Sequence, residues 1–437
     1  MTLAKSLHRK QMSRDFVTIY IHWPYCMSKC PYCSFNSYPI TDLIDFEAWR
    51  YAYRFCLEKL AQQTRGRKVS SVYFGGGSPS LLPATFIGDV VDDVHRLWSV
   101  VDNCEISMEM NPGNVTESHA ANIKAAGINR ISLGVQSLRA DGLAILGRKH
   151  SVEDSLRALN WCAKFFQNYS IDIIYAWPTH NLDQWKKELA EVFALGAPHM
   201  SFYQLTVDEE SVFGDMYSRG ELLIPDDDTC ASMFEYLQDA AARAGLPAYE
   251  VSNHAIPGLE CRHNISYWEY VDYIGIGPGA HGRLTIAPDS RNGIPSTSQT
   301  FLEAHDERAE PEQSRKQAVA KSQAPFLSTS TPQKCAIIQE PNPQKWLNSI
   351  MDNQHILEDI TALSLEKQMK EALLVGLRMT KGIRCDGLPM PLDHIVNMKA
   401  FERLVKEKYL VNKDGVLAAT FKGLRRLNAL TSYLLNG

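Results

Sequence analysis

The sequence predicts an α/β chain: an incomplete, TIM-like (β/α)6 barrel followed by a small, winged-helix-like α+β lobe. Two observations predict it. From Phe16 to Thr206 short β-rich runs alternate with longer segments of helical period, the pattern of βα units around a parallel sheet. Beyond Pro343 the order changes to helix, helix, strand pair, helix.

The successive strands are FVTIYIH, SVYFGGG, EISMEMNP, RISLGVQS, SIDIIYAWP and HMSFYQLTV, each ending in polar or glycine residues. Ligands in such folds sit at the carboxyl ends of the strands, so the chemistry is expected there. The segments Phe46 to Gln63, Thr116 to Ala126, Ser151 to Phe166 and Leu182 to Leu195 carry apolar residues at helical spacing and are expected to cover the outside. Six units are fewer than a closed barrel needs, which predicts a gap able to admit a large substrate.

Around this barrel, assigned to 16–235, the chain divides further. Residues 1–15 form an arm, and 236–286 an extension with YEVSNHA and DYIGIGPGAHG as added strands after a helix near Asp228 to Ala244. Residues 287–342, rich in Ser, Pro, Gln, Ala and charge without periodicity, read as an insertion or linker. The lobe, 343–437, has helices near Leu363 to Arg378 and Met398 to Leu410, a strand pair around NKDG and a closing helix near Lys422 to Leu435.

The net charge of −5 over 437 residues gives no reason to expect nucleic acid or a membrane surface as partner. The basic residues of KEKYLVNK and KGLRR read as solvated helix faces. No stretch approaches the roughly 20 apolar residues that span a bilayer, and the start lacks the apolar core of a secretory signal. The cytoplasm is the expected compartment, with a mitochondrial address for the basic start as the alternative.

Of ten cysteines, only Cys26, Cys30 and Cys33 cluster, in CMSKCPYC directly after the first strand. Close spacing without an export signal points to metal or redox chemistry rather than disulfides. Three thiolates can hold three irons of a [4Fe-4S] cubane and leave the fourth open for the amino and carboxylate groups of S-adenosylmethionine. A zinc site would want a fourth ligand and a second cysteine pair, neither of which is evident.

This loop, with IYIHWPYC before it and SFNS after it, resembles the radical S-adenosylmethionine superfamily in its coproporphyrinogen-dehydrogenase-like branch. The resemblance implies Tyr20 and Tyr32 as aromatic residues beside cluster and cofactor, and Gly76, Gly77 and Ser78 as the site of the cofactor's amino group. It also implies a cofactor shell of Glu109, Gln136, Arg148 and Asp172, all expected at or just beyond strand ends. Arg148 suits the methionyl carboxylate, and the other three suit the ribose or the amino group. Taken singly, each reads equally well as a barrel-mouth hydrogen bond or salt bridge. After Asp172 the branch has a glycine-leucine-proline turn where this chain has Ala176, Trp177 and Pro178, so Trp177 is expected to add bulk near the cofactor.

The branch contains an oxygen-independent coproporphyrinogen dehydrogenase, a radical decarboxylase, and the HemW-type haem chaperones. The dehydrogenase has an extra cysteine two positions after its third cluster cysteine and a longer N-terminal arm; here the position is Phe35 and the arm is short. The run Cys261 to Trp268 contains the HNxxYW pattern of the chaperones. It implies His263 as a haem contact, with Arg262, Tyr267 and Trp268 beside it, and leaves His263, His281 and Cys261 open as iron ligand. A histidine beside aromatic residues is otherwise a common core feature. The expected reading is a haem carrier that passes haem to an acceptor protein and draws on an electron donor; the alternative is the decarboxylase.

Overall fold

The structure is a computed structural model and describes residues 15–286 and 332–436. The arm expected at 1–15, apart from its last residue, and positions 287–331 of the expected insertion lie outside the described residues.

All six expected strands form. β1 (Phe16–Trp23) ends near a two-residue pair, β2 (Tyr25–Cys26) with β3 (Tyr38–Pro39). Then follow β4 (Lys68–Gly76), β5 (Ser99–Met110), β6 (Arg130–Gln136), β7 (Asn168–Tyr175) and β8 (His199–Gln204). β1, β4, β5, β6, β7 and β8 lie side by side in that order, all parallel. The open, partial barrel with a small lobe is thus the observed fold.

The helices between these strands begin where the local chemistry says they should. Asp45 accepts from the amides of Glu47 and Ala48 to start Phe46–Gln63. Reciprocal capping boxes start Val152–Phe165, from Ser151 and Asp154, and Leu182–Ala194, from Asn181 and Gln184. A further helix, Ala84–Leu97, was not anticipated. Its buried Phe86, Ile87, Val90, Val91 and Val94 keep helical spacing, but Asp89, Asp92, Asp93 and Arg96 among them dilute the apolar run.

The sheet grows at both edges. β9 (Asn253–Ala255) pairs antiparallel with β8; β10 (Tyr273–Ile276) pairs parallel with the free side of β1. β11 (His281–Ile286), β12 (Gln333–Gln339) and β13 (Glu358–Ala362) extend that side antiparallel to make eleven strands among the described residues. The boundary expected at 343 therefore falls inside this sheet unit. β12 lies within the stretch read as insertion, and the helix Pro343–Asn353 packs Trp346, fully buried, against Trp49 with ring centres 5.5 Å apart. Apolar burial against a distant helix, not local composition, decides where the chain belongs.

A second core forms only from Met369 onward, with Leu373, Leu377, Leu404, Leu417 and Leu434 buried. It joins the helices Leu365–Gly376, Met398–Lys406 and Leu427–Asn436 to a small sheet of β14 (Ile383–Arg384), β15 (Leu410–Lys413) and β16 (Val416–Ala419). The β15–β16 turn is Asp414–Gly415, both with positive φ, as a two-residue hairpin requires. Among the described residues no helix is long and apolar enough to cross a membrane.

Candidate functional site

The cysteine loop leaves the carboxyl end of β1 and is pinched at its base, where Tyr38 donates to the Pro24 carbonyl at 2.8 Å and Ile40 to that of Cys26 at 2.9 Å. Inside it, the Cys33 amide donates to the Cys30 carbonyl at 3.0 Å and the Cys33 and Ser37 side chains meet at 3.5 Å. Cys26 is buried; burial pushes its thiol pKa up, and so do the neighbouring Cys33 and Cys30. Three thiols in each other's field ionise together only if a cationic group shares their charge, which suits an iron-sulfur cluster. Among the described residues no three His, Cys, Asp or Glu side chains converge on a single ion. The fit of this loop is therefore one of donor type and common placement, not of a ready single-ion cage.

Arg148 reaches the same loop. Its Nη1 donates to Cys30 Sγ at 3.5 Å and its Nη2 to the Gly134 carbonyl at 3.3 Å, while its buried Nε has no partner. Gln136, at positive φ, brings its amide nitrogen over the same Gly134. Tyr32 lies against Cys30 and Arg148, and burial raises its phenol pKa. On its other side Tyr32 packs on a satellite core holding Trp177. Here an expectation is corrected: Trp177 is buried and stacked on His180 at 4.2 Å, so its bulk fills that core instead of projecting toward a cofactor.

The glycine run is shaped first by the strand beside it. A Cβ on Gly77 would stand 2.5 Å from the Tyr25 carbonyl oxygen, and one on Gly76, at φ +112°, would stand 2.6 Å from the His22 ring. The amides of Gly77 and Ser78 donate to the carbonyls of Trp23 and Tyr25 at 2.7 and 2.8 Å. The Gly76 amide donates to Glu109 Oε2 at 3.1 Å. With its N–H groups engaged inside the chain and a carboxylate beside it, this run suits an ammonium better than an anion.

Glu109 also accepts from the Tyr73 hydroxyl at 3.1 Å. Burial, and then the nearby Asp172, raise its pKa to about 7. Asp172 corrects a second expectation: it stands within β7, facing the barrel interior, and not at the mouth. There it accepts from Ser132 Oγ at 2.8 Å and Ser170 Oγ at 3.0 Å, and burial raises its pKa. Tyr20, Tyr73, Glu109, Arg130, Ser132 and Tyr203 line an interior chamber of about 220 Å³. Tyr20 meets His22 Nδ1 at 3.0 Å, and burial raises its phenol pKa.

Arg130, Tyr73, Ser132, Ser201 and Tyr203 were not among the expected site residues, although a signal for them exists. In RISLGVQ and HMSFYQ polar residues recur at every second position, the mark of a strand with one polar face. Arg130 is 2% exposed, and its Nε has no hydrogen-bond partner.

The HNxxYW run forms the helix Arg262–Trp268, which closes the chamber floor. His263 is 1% exposed and both ring nitrogens are taken, Nδ1 by Ser71 Oγ at 2.9 Å and Nε2 by the Tyr267 hydroxyl at 2.8 Å. Burial lowers its pKa to about 3. The ring expected as a haem contact is thus held inside the fold by two hydrogen bonds and a stack on Tyr73. Cys261 is fully buried on Glu105, its thiol pKa pushed up to about 12 by burial. Arg262 donates to the Asn103 carbonyl at 2.6 Å, and Trp268 packs under Arg378 of the lobe.

Residues 20–192 match the Radical SAM superfamily. The Heme chaperone HemW of Escherichia coli (strain K12) is 37% identical over 276 residues, 63% of this chain and 72% of that protein. A mitochondrial radical S-adenosyl methionine domain-containing protein 1 from Danio rerio is 28% identical over 98% of this chain and 91% of its own length. Among solved structures, the coproporphyrinogen III oxidase HemN of Escherichia coli superposes with a TM-score of 0.71 at 15% identity, over 98% of this chain and 93% of that one, which shows the shared fold. The superfamily implies a [4Fe-4S] cluster and S-adenosylmethionine, for which the three cysteines and Arg148 are suited. By its cysteine loop and its identity to a haem chaperone over most of that protein's length, the chain belongs to the HemW family of radical S-adenosylmethionine proteins.

Proposed function

We propose that this protein binds haem and delivers it to an acceptor protein, with a [4Fe-4S] cluster on Cys26, Cys30 and Cys33 and S-adenosylmethionine beside it. The observation that carries the reading is the loop of three thiols touched by Arg148, in a chain 37% identical to a haem chaperone over 276 residues. When bound, the cluster supplies an electron and one open iron site. In this reading Arg148 receives the methionyl carboxylate, the run Gly76–Gly77–Ser78 with Glu109 receives the ammonium, and Gln136 faces the ribose, while Asp172 stands behind Glu109 inside the barrel. Tyr20 and Tyr32 shield the two sides. An electron donor is required to reduce the cluster.

Phe35 in place of a further cysteine favours the carrier over the decarboxylase. The test is anaerobic reconstitution followed by haem titration, with and without S-adenosylmethionine, alongside a trial of carbon dioxide release from coproporphyrinogen. Stoichiometric haem binding without carbon dioxide is expected. Release of carbon dioxide without haem binding rejects the carrier. For the compartment we take the cytoplasm, with the mitochondrion named for the Danio rerio relative as the alternative; fractionation of tagged protein decides.

A further inference from the structure

The site of haem contact follows from which face of the sheet is open. Tyr20 pairs with Tyr73 and both line the interior chamber. Directly paired residues project to the same side of a sheet, and alternate residues of a strand share a face. Thr18 pairs with Tyr273, Tyr273 with Arg283, and His281 with Ile338. Tyr273, Arg283, His281 and Ile338 therefore continue the interior face outward, past β1, to where no barrel strand among the described residues lies opposite.

Most histidines are unavailable to an iron. His22, His150, His180, His199, His254 and His263 are all buried. Among the described residues the exposed ones are His95, His281, His355 and His394. His95 lies near the end of the outer helix Ala84–Leu97, His355 follows the outer helix Pro343–Asn353, and His394 is in the lobe. Of these exposed histidines only His281 stands on the interior face beside the cysteine loop; the half-buried His119 lies on the outer helix Glu117–Ala125. The Asn36 amide binds that loop to the carbonyls of Pro278, at 2.9 Å, and Pro341, at 2.8 Å, on the segments that carry His281 and Ile338.

Large apolar side chains lie open at the same edge. Ile338, across from His281, is 42% exposed, and Phe35, next to Asn36, is 58% exposed. A flat apolar ring with a central metal needs one imidazole and such neighbours. The interior chamber, at about 220 Å³, falls below the roughly 300–1,000 Å³ of sites for drug-sized ligands, so a macrocycle must remain outside it.

We infer that His281 is the haem ligand of this protein, and that the macrocycle lies on the open face of β11 and β12 against Ile338 and Phe35. The inference rests on the haem-carrier reading and names its site. Partial burial, and then Arg283, lower the His281 pKa from its ordinary value, which keeps the imidazole lone pair free for a metal near neutral pH.

The experiment titrates haem into the anaerobically reconstituted full chain and follows the Soret band for the parent, His281→Ala, His263→Gln and Ile338→Asp. The parent is expected to bind. His281→Ala is expected to bind at least roughly tenfold more weakly, since even an outer partner of a metal ligand is worth about that much. Added imidazole is expected to restore its band, and Ile338→Asp to weaken binding with the band position kept. Loss of the parent band in His263→Gln, with His281→Ala like the parent, overturns the inference and leaves the carrier reading standing. Absence of haem binding by the parent overturns both. An unaltered circular dichroism melt for His281→Ala separates loss of a ligand from loss of fold.

Discussion

Glu109 joins two strands through Tyr73 and Gly76 while standing near a second buried carboxyl, Asp172. Its folded pKa of about 7 lies above the ordinary 4.5, so the fold favours the protonated form. Stability is then complete below 4.5 and declines as pH rises through about 7, by on the order of 3 kcal/mol at full ionisation. Glu109→Gln, which stays neutral, is expected to flatten that decline in cofactor-free protein. Thermal melts across the interval check it, and parallel pH profiles for parent and variant refute the assignment. At this scale the sequence set the three cysteines together in one motif, and the structure brings Arg148 to Cys30 from 118 residues away. The sequence was not legible for the burial of His263, whose Nδ1 meets Ser71, 192 residues away.

The helix Arg262–Trp268 shows how one element can serve two cores. Its first turn receives Glu105 on the amides of Arg262 and His263, at 3.0 and 3.1 Å, and its last residue lies under the Arg378 guanidinium at 4.7 Å. Arg378 in turn approaches Glu250 at 3.4 Å. Trp268→Ala is expected to cost about 1 kcal/mol from the lost cation–π contact, with burial added to it. The lobe should become cleavable under limited proteolysis before the barrel does; cleavage at the parent rate throughout the lobe contradicts this. The strands and the capped helices were readable because period and cap chemistry are local properties of the chain. The helical state of this run was not, because seven residues carry too few turns for periodicity to register.

Across the whole molecule, the lobe is fastened to the extended side of the sheet by Glu371. It accepts from Arg283 at 3.0 and 3.1 Å and from the Tyr270 hydroxyl at 2.7 Å. Within the sheet unit itself, Lys334 of β12 pairs with Asp272 at 3.1 Å. Glu371→Ala leaves a half-buried guanidinium without its carboxylate and is expected to cost about 1–3 kcal/mol. Urea unfolding measures it; an unmoved midpoint removes Glu371 as the fastening. The lobe thus grips Arg283, which stands on the same strand face as His281, two residues along β11.

By itself the sequence determined the cysteine loop, the order of βα units and the winged lobe, since each is written in residues near one another along the chain. Only the tertiary structure decided that β12 and β13 complete the barrel's sheet, that the HNxxYW run is a floor, and that His281 stands at the rim. Those outcomes depend on pairing and burial between distant segments, and the energy of such contacts is assigned to no single stretch of the chain.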